Sequence, residues 1–154
     1  MIASAVGGAE LIHAGRVALA GGAEVFAARQ QQRLFTRVMR KVETVDVLTP
    51  PDKAVFYSGP GNQAKAFEFK MNHSKLTIEN TPGGRWLGKQ DMYNRLPMSQ
   101  ADIAWGRLSE RYAQEASGEV NCFVSGARRD RIFFIKELPA LENNSKVTGK
   151  IFHD

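Results

Sequence analysis

Apolar positions in the first 44 residues recur at helical spacing without a proline, most clearly at Leu34, Phe35, Val38, Met39 and Val42. Gly21-Gly22 predicts a break that divides this run into two helices. The polar side of the second carries Arg33, Arg37, Arg40 and Lys41 and reads as a solvated face. Thr49-Pro50-Pro51-Asp52 then interrupts the chain. Beyond it the pattern shortens. "AVFYSG" (54–59) predicts a short buried strand ending at Gly59-Pro60-Gly61, and "QAKAFEFKMN" (63–72) a helix with Ala64, Phe67 and Met71 on one side. "KLTIE" (75–79) predicts a second strand. Pro82-Gly83-Gly84 reads as a tight turn opening an irregular polar stretch to Pro97.

Residues 98–118 carry the strongest helical pattern, with Ser99 as N-cap, Asp102 three residues on, and Gly118 as the stop. Ile103, Leu108, Tyr112 and Ala116 mark one face; Trp105 and Ser109, four apart, project together from another. "VNCFVSG" (120–126) and "RIFFIKEL" (131–138) read as strands, the second nearly all apolar and therefore central. This order predicts an α/β fold. An N-terminal helical part (1–44) packs on a small, mainly parallel β-sheet with flanking helices (45–154), together one compact unit.

A chain of 154 residues, 43% hydrophobic and 24% charged, has the length and composition of one soluble domain with a real core. Cys122 is the only cysteine, so no internal disulfide can form, which suits a reducing cytosol. The net charge of +5 favours phosphates without demanding nucleic acid. The Ala/Gly-rich start holds Glu10, His13, Arg16 and Glu24, which argues against stable membrane insertion, and it lacks the layout of a signal peptide.

No metal is expected: His13, His73 and His153 are scattered, and one cysteine cannot complete a zinc site. No P-loop, Gly-x-Gly-x-x-Gly or Gly-x-Ser-x-Gly motif occurs. Mid-strand Cys122 reads as an inert buried thiol. What remains is a set of residues at strand ends: Tyr57-Ser58, Glu79 and Glu137. Open α/β sheets bind ligands outside the carboxyl ends of their strands. A glutamate closing the apolar run "FFIKEL" is costly unless it leaves the sheet or finds partners. Singly, each glutamate also reads as an ordinary exposed or satisfied residue.

Four short boxes in order carry a resemblance. "LTIENT" (76–81) resembles the "TLEDT" box of the ADP-ribosyl cyclase / NAD glycohydrolase family. "AWGRLSERYAQEASGEVNCFVSG" (104–126) is similar to its Trp-x-x-x-Ser helix and following strand. "RIFFIKEL" resembles the segment that delivers its catalytic glutamate, with Phe133 placed like the phenylalanine before it, and "VFYSG" its Trp-Ser strand end, with Tyr57 in place of tryptophan. The likeness runs from about residue 54 to about 141. Bacterial polymorphic-toxin domains (contact-dependent inhibition or type VI/Rhs-like effectors) look closer still, through the "TPGG" after the glutamate, the missing disulfides and the compact size. The chain departs from the animal enzymes at Gly59, where they carry arginine, and at Asn80, the second acid of the box; Asp91 is the candidate for a further aspartate.

The resemblance implies an ADP-ribosyl cyclase-like fold and an NAD⁺ glycohydrolase, with NAD⁺ as substrate and no cofactor. Nicotinamide is already a cationic leaving group, and breaking its bond to ribose leaves an oxocarbenium-like centre. Glu137 would stabilise that charge as the catalytic carboxylate. Glu79 would accept from the carboxamide NH₂. Tyr57 and Trp105 would face the flat pyridinium. Ser58 and Phe133 complete the binding set, and Ser109 would bond a phosphate or ribose hydroxyl. Gly59-Pro60-Gly61, Arg128, Arg129 and Arg131 are candidate diphosphate donors. Trp86 lines the site or caps the core; the sequence leaves both open. The implied biology is a toxin depleting NAD⁺ in a competing bacterium. It would be secreted or contact-delivered, act in the target cytoplasm, be blocked by a cognate immunity protein and otherwise be monomeric. The Ala/Gly-rich start resembles the tail of a delivery region. The short, glycine-bearing stretch after Glu79, Asn80 in place of the second acid and the absence of disulfides predict an open pocket, in which hydrolysis wins over cyclisation. A nuclease toxin, an ADP-ribosyltransferase and a non-catalytic binding module remain alternatives.

Overall fold

The computed structural model describes residues 2–154, with side chains from residue 21 onward. It divides into two compact units, one reaching to Arg37 and one from Val38 to Asp154. Helix α1 (Ile2–Val42) contributes to both. The break expected at Gly21-Gly22 does not occur. Two glycines cost a helix about 1 kcal/mol each against alanine, but unlike proline they remove no backbone hydrogen bond. In the first unit Val25 and Phe26 stand exposed on this helix.

The second unit is built on a three-stranded, fully parallel sheet in the order β1 (Val55–Tyr57), β2 (Gly118–Phe123), β3 (Val147–His153). Tyr57 lies opposite Phe123, which lies opposite His153, so the three strands end together. β2 is the central strand and is buried from Val120 to Phe123. Its one polar member there, Asn121, accepts at Oδ1 from His153 Nε2 at 2.8 Å. Cys122 is buried in this strand. Burial first, and then Glu137, push its thiol pKa up to about 12, which keeps it protonated.

Three expected elements differ. "KLTIE" makes only a bridge, Leu76 to Ala54, and then closes into a 3₁₀ turn at Ile78–Asn80. The cause is local: Asn80 Oδ1 accepts from the Thr77 backbone N–H and hydroxyl, and Lys70 Nζ donates to both side chains, which offers the backbone an alternative to the ladder. Pro82-Gly83-Gly84 is the first turn of helix α3 (Pro82–Lys89) rather than a free turn. Thr81 caps it by accepting from Gly84 N–H at 3.0 Å, and Pro82 sits where its missing donor costs nothing. A short α4 (Met92–Arg95) follows, so the stretch read as irregular is largely helical.

"RIFFIKEL" is the third difference. It is not a strand: Phe133–Glu137 forms a π-helical turn that runs into α6 (Leu138–Glu142). Pro139 supplies the reason. In a regular helix its ring would collide with the Ile135 carbonyl and leave it without a donor, and a widened turn relieves both. Within the apolar run Phe134 is only half-buried and Ile135 is 54% exposed, which no central strand would show. The third strand comes from residues 147–153, whose mostly exposed, Gly- and Lys-bearing sequence carries no buried-strand pattern.

Helix α2 (Asn62–His73) matches expectation in position, but Ala66 is its buried apolar residue, with Phe67 and Phe69 partly covered, while Ala64 and Met71 face outward. Helix α5 (Met98–Glu115) starts from Pro97 rather than a Ser99 cap. Its buried face is Ala101, Ala104, Leu108, Tyr112 and Ala113; Ile103 is exposed. Tyr112 is buried against Phe56, 4.9 Å between ring centres, and donates its hydroxyl to the Leu76 carbonyl at 3.0 Å. Among the described residues no helix is long and apolar enough to cross a membrane.

Candidate active site

The ends of β1 and its neighbours open into a cavity of about 990 Å³. Tyr57 and Ser58 come from the end of β1, Glu79 from the 3₁₀ turn, Trp105 and Ser109 from α5, and Phe133 and Glu137 from the π turn. The i, i+4 spacing on α5 puts Trp105 and Ser109 on one side. The π turn likewise returns Glu137 to the side of Phe133. Both residues are buried while Phe134, Ile135 and Lys136 between them are not. Asn62 fixes the end of β1 by donating its amide to the carbonyls of Ser58 (2.6 Å) and Ser125 (2.9 Å).

Eight of the nine residues proposed from sequence line this cavity: Glu137, Glu79, Tyr57, Ser58, Trp105, Ser109, Phe133 and Arg131. Trp86 does not. It lies on α3 with Lys41 Nζ 4.9 Å over its ring, which settles the open choice against the cavity. Asp91 also lies elsewhere, accepting from the Asn94 amide at 2.8 Å. Of the three arginines considered for the diphosphate, Arg131 lines the cavity, whereas Arg128 pairs with Asp130 and Arg129 covers the Phe134 ring. Gly59 lines it with φ of 91°, and a Cβ there would approach Ala127 to 2.8 Å. No arginine could occupy that backbone, so its absence is built into the loop.

Sequence reasoning missed Gln63, Tyr93, Asp102 and Arg107, which also line the cavity. Arg107 is held by Glu43 through two contacts of 2.8 Å and by Glu110. Tyr93 donates to Asp102 Oδ1 at 2.6 Å on the exposed rim. No periodicity flags these residues, because each is defined by a partner on another element.

The two glutamates differ in environment. Glu137 is 7% exposed, and no donor among the described residues engages its carboxylate. Burial first, and the charge of Glu79 second, push its pKa up to about 8. Glu79 accepts the Tyr57 hydroxyl on Oε1, while its Oε2 is buried without a donor. Tyr57 stays a phenol: burial, then Glu79, raise its pKa well above the ordinary value. Two carboxyls in one cavity, Glu137 buried and resistant to ionising, beside aromatic walls, suit stabilisation of a developing cation. No group of three or more His, Cys, Asp or Glu side chains is placed to hold a metal ion among the described residues.

No family model matches the chain, and no curated protein sequence is similar to it. Solved structures do match. Aplysia cyclase complexed with substrate NGD and product cGDPR superposes with a TM-score of 0.54 at 25% identity, over 68% of this chain and 49% of the cyclase. An ADP-ribosyl cyclase complexed with N1-cIDPR gives the same figures. Porcine CD38 with a covalent intermediate gives a TM-score of 0.52 at 23% identity, over 71% of this chain and 56% of CD38. The chain spans about half the length of the cyclases it matches. Its small parallel sheet with surrounding helices is therefore an ADP-ribosyl cyclase-like fold.

Proposed function

We propose that this chain is an NAD⁺ glycohydrolase that cleaves the nicotinamide–ribose bond to give nicotinamide and ADP-ribose. The observation that carries the reading is Glu137, a buried carboxyl facing Glu79 in a cavity walled by Tyr57, Trp105 and Phe133, within a fold shared with cyclases. The scissile electron pair leaves with the pyridinium, which becomes neutral nicotinamide. The ribosyl carbon is left electron-poor, and an ionised Glu137 beside it stabilises that charge. Water then adds through its oxygen to that carbon, and its proton is released to solvent. Glu137 resists ionising in the free protein, but the cationic ring of the substrate favours its carboxylate form, so substrate arrival itself prepares the group. Tyr57 and Trp105 offer faces to the pyridinium. Glu79 Oε2 is the free acceptor for the carboxamide. Arg131 stands on the rim where a phosphate would pass.

The wider role we infer is that of a toxin domain, delivered by secretion or contact into a competing bacterium, where it depletes NAD⁺ until a cognate immunity protein blocks it. The likeness of the "TPGG" segment, the single cysteine and the compact size to polymorphic-toxin domains motivates that reading. The test is NAD⁺ consumption by purified protein with products resolved by chromatography, alongside an analogue whose cyclised product is fluorescent. ADP-ribose should dominate. No loss of NAD⁺ refutes the activity, and cyclic product as the main species refutes the hydrolytic assignment. Expression in a bacterial cytoplasm should lower NAD⁺ and stop growth, and Glu137→Gln should abolish both effects.

A further inference from the structure

The two oxygens of Glu79 are treated unequally, and a residue outside the sequence boxes is responsible. Gln63, exposed on the first turn of α2, points its amide at the cavity wall and donates from Nε2 to the Tyr57 hydroxyl oxygen at 3.2 Å. An NH₂ group can only donate. With its oxygen already receiving that hydrogen, the Tyr57 hydroxyl directs its own proton to Glu79 Oε1. Glu79 Oε2 is left buried with no donor among the described residues. A buried carboxylate oxygen without a partner is costly, and in a cavity wall it is an acceptor that a hydrogen-bond donor on a ligand would satisfy. The carboxylate cannot easily turn to share Tyr57 differently. Its 3₁₀ turn is tied behind by Lys70, Thr77 and Asn80, and the Tyr57 ring is braced edge-on by Phe67 at 5.7 Å.

We propose that Gln63 and Tyr57 are positioning residues: they occupy one oxygen of Glu79 and hold the other for an N–H donor on the ligand, which under the activity proposed above is the nicotinamide carboxamide. The proposal rests on that activity only for the identity of the donor. It makes the site selective for pyridines whose 3-substituent carries N–H. Gln63 sets the selectivity without touching the ligand, by fixing which way a phenol proton points.

The experiment compares NAD⁺ with 3-acetylpyridine adenine dinucleotide, whose methyl ketone cannot donate. A hydrogen bond to a charged acceptor corresponds to about 10- to 100-fold in affinity, so wild-type KM values should differ by that ratio. Tyr57→Phe should bring the ratio close to unity by raising KM for NAD⁺, with a smaller change in kcat. Gln63→Glu, nearly the same shape but able to accept the Tyr57 proton, should do likewise. Gln63→Lys, again only a donor, should keep the wild-type ratio. Equal losses on both substrates, or an unchanged ratio in Gln63→Glu, overturn the proposal. Equilibrium binding of nicotinamide against 3-acetylpyridine by calorimetry separates this from the activity itself. A preference that survives in Tyr57→Phe refutes the positioning role even if NAD⁺ is consumed. A preference lost in Tyr57→Phe and Gln63→Glu supports it even if NAD⁺ is not.

Discussion

Replacing Glu137 by glutamine should make the protein more stable while disabling it, and the gain can be worked from the carboxyl's surroundings. Glu137 titrates near 8 in the folded protein against an ordinary 4.5, for reasons of burial and then of Glu79's charge. The folded protein thus keeps a proton that the unfolded chain has released above pH 4.5. The contribution of this carboxyl to stability is whole below the ordinary value and is lost as pH rises through about 8. Moving the carboxyl from 4.5 to about 8 corresponds to about 5 kcal/mol, on the order of the whole stability of a small domain. Glutamine keeps the shape and has nothing to ionise. Urea unfolding of wild-type and Glu137→Gln protein between pH 5 and pH 9 should therefore show two curves that diverge with pH. The difference should grow by up to about 1.4 kcal/mol per unit and level off above pH 8. NAD⁺ turnover of the same folded variant should fall at least about 100-fold. Parallel stability curves would show that the carboxyl is not held protonated. Near-normal turnover would remove it from catalysis.

The same carboxyl should shape the pH–rate profile: kcat/KM should rise towards an apparent pKa near 8 in the free enzyme, whereas kcat should reach its plateau at lower pH, because bound pyridinium favours the carboxylate. Coincident profiles would contradict the substrate-assisted ionisation. Trp105→Ala should weaken NAD⁺ use more than it lowers the melting temperature, since Trp105 lines the cavity and is only half-buried. A stability loss of about 3–5 kcal/mol with unchanged specific activity would make it a core residue instead. Gly84→Ala places a methyl against the Ile78 carbonyl next to Glu79, so it should cost about 1–3 kcal/mol and raise KM for NAD⁺. Unaltered thermal unfolding would show that α3 and the 3₁₀ turn are not pressed together.

The sequence showed which side chains meet better than it showed how the backbone brings them there. Glu79, Trp105, Ser109, Phe133 and Glu137 share one cavity as their boxes implied, yet two of the segments bearing them were read as strands and are helical turns. Apolar runs of four to six residues fit a buried strand or a packed helical turn equally well. The deciding groups were Asn80 and Lys70 in one case and Pro139 in the other, each acting through a specific contact rather than through the pattern. β3 stayed hidden for the opposite reason. An edge strand with Lys146 beside it and Gly149 and Lys150 within it need not alternate, because one face and one edge meet water. Gln63 could not be found at all from sequence, since its importance lies in the hydrogen-bonding state of a tyrosine that is itself read only against Glu79.

The π turn at Phe133–Glu137 gives the Glu137 carboxyl a distinctive kind of vulnerability. A π turn is an α-helix carrying one residue too many, and each residue of an α-helix advances the side-chain direction by about 100°. Deleting Ile135 or Lys136, both exposed, would remove no core side chain and would allow the segment to relax towards regular winding. Phe133 would keep its place while Glu137, now three residues on rather than four, turned about 60° to one side of it and shifted relative to Glu79. Conversely, a helix of ordinary winding could acquire this cavity's carboxyl by insertion of a single codon. Loss and gain of the site are thus one indel apart, a route that no survey of substitutions at the lining residues would encounter.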